Sequence, residues 1–135
     1  MRHIDRIDEP KHNYKRFLQK AEEFYSTAGD MLEKGRYNSA SMEGIHCAIS
    51  CCDALTVFYL GQRAHGRRHT DAAELLKDIR SLPAAEVDAR IRQFREILDF
   101  KTPVEYGGDI FSAKEAGQIV LRSGRFLQWC RAHLG

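Results

Sequence analysis

No apolar run in this chain approaches the roughly 20 residues that a membrane-crossing helix needs, which sets aside an integral helical membrane protein. Charge of one sign is missing too. The 21 Lys and Arg stand against 19 Asp and Glu, and a formal net charge of +2 is too small a surplus to argue for nucleic acid on its own. Repeats, low-complexity tracts and linkers are absent, so one domain over residues 1–135 is expected. No P-loop, dinucleotide fingerprint or serine-nucleophile turn occurs, and Gly107-Gly108 is too short to cradle a phosphate. The amino-terminal MRHIDRIDEPKHN is charged and lacks an apolar core, unlike a secretory leader, so a cytoplasmic location is expected.

The four cysteines are awkwardly placed for disulfides. Cys51 and Cys52 are adjacent, which strains any bond between them, so these two, Cys47 and Cys130 are expected as free thiols. Cys47 and Cys51 stand one helical turn apart beside His46, but two ligands fall short of the four a structural metal site requires. Core packing is the better account, and neither metal nor cofactor is expected.

Helical periodicity is abundant, and no segment shows convincing strand alternation. Tyr14, Phe17, Leu18, Ala21, Phe24, Tyr25, Ala28, Met31 and Leu32 mark a first helix, with Pro10 near its start and Gly35 past its end. The short Gly35-Arg36 link sends a second helix back antiparallel, from Tyr37 to about Arg63. A third, short helix has Leu75, Leu76 and Ile79 facing inward. Asp71 with Glu74 resembles a capping arrangement there, and His69 is expected to help cap it. After Pro83, Val87, Ile91, Phe94 and Leu98 form the stripe of a fourth helix. Ser112 and Glu115 cap a last one, with Ala116, Ile119, Val120, Leu127 and Cys130 inward and Phe126 and Trp129 as packing aromatics. The expected fold is an all-α antiparallel bundle of four to five helices without a sheet.

The second helix is the richest segment. Tyr37, Ala40, Gly44, Ala48, Cys51, Leu55 and Phe58 make one apolar face, and Met42, Ile49, Val57 and Leu60 a second one that also carries His46 and Asp53. Ser39, Glu43 and Ser50 leave only a narrow seam for water. A helix apolar all round is buried. In a small bundle the second face is expected to meet a partner, which makes Met42, Ile49, Val57 and Leu60 a candidate homodimer interface. Asp53 on that face and Lys101 on the continued stripe of the fourth helix are charges at apolar positions, each in need of a partner or a route to solvent.

The chain resembles the HEPN domains (higher eukaryotes and prokaryotes nucleotide-binding). The likeness rests on YNSASMEGIHCAISCCDALTVFYLG in the second helix, on His69 opening the short helix, and on FKTPVEYGG after the fourth. The resemblance implies a helical bundle that dimerises, a nucleotide or RNA context and a nucleotidyltransferase partner. Catalytic members carry an arginine, four to six residues, then a histidine, and cleave RNA without metal. Here Lys101 stands in the arginine place and Tyr106 in the histidine place, with Glu105 between. An unperturbed tyrosine, with a pKa near 10, is a poor base at neutral pH, and lysine grips phosphate as a point charge rather than a fork. Asp53, Lys101, Glu105 and Tyr106 are therefore expected to bind a nucleotide, RNA or partner with little catalysis. A metal-independent ribonuclease of the toxin type, using Lys101 and Tyr106, is the alternative, and a structural scaffold dimer the next. Arg63, His65, Arg67, Arg68 and His69 form the most basic patch, either a phosphate contact or a solvated turn.

Overall fold

A short strand β1 (Arg6–Asp8) and a 3₁₀ turn (Lys11–Asn13) lead into helix α1 (Tyr14–Glu33), which is followed by α2 (Tyr37–Leu60). Strand β2 (Gln62–Ala64), α3 (Thr70–Glu74), a second 3₁₀ turn (Leu75–Asp78), α4 (Ala84–Asp99) and α5 (Ala113–Ala132) complete the order. This computed structural model describes residues 3–66, 68–99, 108 and 110–135.

The helix boundaries follow from backbone chemistry. Gly35 takes a left-handed φ of 72°, and its N–H reaches Leu32 O at 3.1 Å while Arg36 N–H reaches Met31 O at 2.9 Å. These two bonds are the Schellman closure that turns α1 back into α2. Gly61 does the same work at the other end of α2, with φ 65° and its N–H on Val57 O at 3.0 Å. That left-handed stop ends α2 at Leu60, three residues before the Arg63 that sequence periodicity suggested. Ser112 and Glu115 form the expected reciprocal capping box on α5.

Among the described residues, those after Gly61 make the one departure from helical structure and turns. Arg6, Ile7 and Asp8 pair antiparallel with Ala64, Arg63 and Gln62, so a two-stranded ribbon stands where no sheet was expected. Three residues a side are too few to print an alternation in sequence. At α3, His69 makes no side-chain cap, and Asp71 lies inside the first turn as a buried residue rather than at the cap. Leu75, Leu76 and Ile79 do face inward, but Leu75 and Leu76 belong to a 3₁₀ turn.

Helix α2 is the axis of the molecule. It packs chiefly on α1 and α5 and is also touched by α3, α4, β2 and both 3₁₀ turns. Ala40, Gly44, Ala48, Cys51 and Leu55 are buried as the small-residue face required. On the second face Val57 is buried, whereas Met42, Ile49 and Leu60 are half-buried; Thr56 and Ser50, the latter expected on the wet seam, have almost no exposed surface. A main cluster around Cys51, Leu55, Leu76, Phe94, Phe126 and Leu127 fills the centre. A second one of Ile45, Ile97, Phe111 and Ile119 sits where α4 ends and α5 begins. Among the described residues no helix is long and apolar enough to cross a membrane.

Candidate functional site

Lys20 and Arg16 lie four residues apart on α1 and so share a face, with Phe17 between them. The ribbon brings Arg63 of β2 against that face, because its partner Ile7 leads directly to Glu9 and the start of α1. Asp53 enters from the middle of α2. Glu9, Asn13, Arg16, Phe17, Lys20, Asp53 and Arg63 together line a cavity of about 380 Å³.

Its charges are ordered. Arg63 Nε donates to Glu9 Oε1 at 3.0 Å, and Asn13 Nδ2 donates to Glu9 Oε2 at 2.8 Å. The bond from Asn13 and then that from Arg63 hold the Glu9 carboxyl below its ordinary range, so Glu9 stays ionised. The Arg63 guanidinium stands 5.7 Å and Lys20 Nζ 5.5 Å from the Phe17 ring centroid, within cation–π reach. Nε and the ring thereby fix the plane of Arg63, while its terminal amino groups make no hydrogen bond among the described residues.

Asp53 is in the opposite situation. Burial pushes its carboxyl up to about 7, although Arg63 and Lys20 pull it down and Glu9 adds a smaller push upward. No side-chain hydrogen bond or close ion pair holds it among the described residues, so the two cations act from a distance. The cavity therefore combines three cations, one fixed anion and one carboxyl that changes charge near neutrality. Such an arrangement can hold an oxyanion and can exchange a proton with it.

The sequence singled out Asp53 and Arg63 but not their company. Lys101, Glu105 and Tyr106 lie outside the described residues, as does Arg67. Arg16, Lys20, Glu9 and Asn13 went unnoticed. The Arg16–Lys20 spacing astride Phe17 is the available signal, and the stronger apolar period of α1 overlies it. The basic patch divides: Arg63 faces the cavity, whereas His65 and Arg68 are exposed. His69 stands edge-on to His46 at 6.3 Å between ring centroids, and His46 in turn lies 5.7 Å from Phe24.

All four thiols are free and buried. Cys130 Sγ donates to Cys51 O at 3.6 Å and Cys47 Sγ to Ser123 O at 4.0 Å, so these sulfurs tie α2 to α5. Burial pushes the Cys51 and Cys52 thiols well up, away from the thiolate a metal or a nucleophile needs. Among the described residues no three His, Cys, Asp or Glu side chains converge on a metal position.

This arrangement sits within a segment of recognisable type. The sequence model described as the HEPN domain matches residues 14–133, nearly the whole chain. The chain belongs to the HEPN domain family. No curated protein and no solved structure matches it. HEPN domains are helical and are linked to nucleotide and RNA interactions, and the observed helical architecture agrees with that membership. Every residue of this HEPN domain that lines the cavity, apart from Glu9 and Asn13, falls inside the matched span.

Proposed function

We propose that this HEPN domain binds a nucleotide or RNA through phosphate, acts as a homodimer beside a nucleotidyltransferase partner, and has little turnover of its own. The observation that supports phosphate binding is the cavity in which Arg16, Lys20 and Arg63 surround Asp53. Three cations against two carboxylates leave the lining net positive even with Asp53 ionised, and more so once it is protonated. The family's motif place, here Lys101 to Tyr106, belongs to the same proposal through sequence: Lys101 attracts phosphate and Tyr106 supplies no base at neutral pH. Dimer and partner rest on the family alone.

Titration calorimetry with a short single-stranded RNA and with adenosine monophosphate tests this. Arg63→Gln, Lys20→Gln and Lys101→Ala should each weaken binding by about tenfold, the loss of one charge-assisted contact. Tyr106→Phe should change it little. The ribonuclease alternative keeps one specific support, because Asp53, pushed up to about 7 by burial, is suited to act as a general base at neutral pH. RNA cleavage in a clean preparation, lost in Tyr106→Phe or Asp53→Asn, would establish that alternative instead.

A further inference from the structure

The Asp53 cavity has a property that a plain cationic patch lacks. Arg16 and Lys20 on α1 and Arg63 on β2 attract an anion, but a carboxylate stands among them, aimed from the buried centre of α2. An incoming oxyanion meets that carboxylate as a like charge. Two oxyanions side by side in a half-dry cavity are strongly unfavourable unless one of them takes a proton. We propose that the cavity captures a nucleic-acid phosphodiester together with one proton, so that Asp53, neutral in the complex, donates a hydrogen bond to a phosphate oxygen that Arg63, Arg16 and Lys20 surround. This rests on the phosphate-binding reading above and specifies its ligand class and its dependence on pH.

The other groups in the cavity leave Asp53 as the site of that proton. Glu9 is fixed in its ionised form by Asn13 and Arg63, so it stays charged. Arg16, Lys20 and Arg63 are the remaining charged groups facing Asp53 among the described residues, from α1 and β2, and all three are cations rather than acids. No titratable side chain of α3, α4 or α5 lines the cavity among the described residues. A phosphodiester keeps one negative charge across the same range, so the exchanged proton comes from solvent and ends on the Asp53 carboxyl. The balance is simple: ligand anion, one proton and ionised protein give a complex in which no covalent bond of the ligand changes.

The ligand class follows from shape and charge together. The cavity is open, of about 380 Å³, with Phe17 as an apolar wall already flanked by two cations. A polymer backbone can lay one phosphate into such an opening without burying its sugars or bases.

The test uses the full chain and a short 2′-O-methyl oligonucleotide without terminal phosphates, which neither titrates near neutrality nor can be cleaved through its 2′ oxygen. Affinity should tighten about tenfold from pH 8 to pH 6, the linkage expected of one carboxyl titrating near 7. Calorimetry in two buffers of different ionisation heat should show close to one proton taken up per phosphodiester site at pH 8. Asp53→Asn should bind at pH 8 as the parent does at pH 6, with a flat pH profile and no proton uptake. Binding that is pH-independent and without uptake overturns this inference while leaving phosphate capture intact. Binding that Arg63→Gln and Lys20→Gln leave unchanged at every pH overturns the cavity reading itself. Proton-linked binding of inorganic sulfate, with none of the oligonucleotide, assigns the cavity to a free oxyanion and overturns the phosphodiester assignment.

Discussion

A largely desolvated, half-buried carboxyl in the middle of α2 imposes on this fold a penalty that grows with pH. Asp53 titrates near 3.8 when solvated and near 7 in the folded chain, so between those values the folded state holds a proton that the unfolded state has lost. Folding stability from this group is therefore full below about pH 4 and falls as pH rises to about 7, where the charged form must be kept buried. Each pKa unit is worth about 1.36 kcal/mol, which places the whole effect on the order of 4 kcal/mol at most. Asp53→Asn, isosteric and never charged, should accordingly stabilise the protein by a few kcal/mol at pH 8 and by little at pH 4.5. Urea unfolding at the two pH values measures it, and an equal difference at both would show that Asp53 is not desolvated. The sequence exposed this residue, since a charge on an apolar stripe is conspicuous. It could not reveal Arg16, Lys20 and Glu9, because their meeting with Asp53 depends on a ribbon of three-residue strands that leaves no periodic trace.

At the level of the elements, the crossing of α2 over α5 depends on small residues. A Cβ at Gly44 would stand 3.1 Å from Ser123 Oγ and 3.2 Å from Ile119 Cγ2, and Ser123 Oγ donates to Gly44 O at 2.8 Å. The helices touch backbone to side chain there. Gly44→Val adds three carbons to a filled contact and should cost about 1–3 kcal/mol by overpacking. A denaturation midpoint equal to that of the parent would mean that the two helices can part without loss. This close approach was legible in sequence as the series Ala40, Gly44, Ala48, as were α1, α2, α4 and α5 from their 3.6-residue period. Boundaries were less so. α2 stops at Gly61 because a glycine can adopt the left-handed stop, while nothing in Gln62 or Arg63 forbids a longer helix. α3 lost its supposed cap for a related reason: a five-residue helix is shaped by what it packs on, and Asp71 is drawn inward, where its carboxylate lies against Gly66.

For the molecule as a whole, the open matter is which surface a second copy would use. An all-round apolar α2 suggested that one of its faces awaits a partner, but Val57 is wholly inside the chain's own core. Leu60 packs half-buried on the main cluster, and Met42 and Ile49 lean on the second one. Met42 and Leu60 are eighteen residues apart on one helix, about 27 Å, so the four do not make one compact patch. Among the described residues the strongest apolar exposure lies elsewhere: Ile110 is 75% and Leu121 47% exposed. Ile110 adjoins Phe111 of the second cluster, against which Met42 and Ile49 also pack. In sequence Ile110 follows the segment that holds the family's motif place. A HEPN homodimer joined at this end would bury Ile110 and Met42 against their symmetry mates, as an isologous contact does. Light scattering at micromolar concentration should give the mass of two chains. Ile110→Arg and Met42→Arg should shift it toward one chain while keeping the helical circular dichroism signal. Leu60→Arg should leave the dimer in place, and Val57→Arg should unfold the chain instead, because it buries an unpaired charge. A single-chain mass for the unaltered protein would remove the homodimer from the proposal and leave the Asp53 cavity to act within one copy.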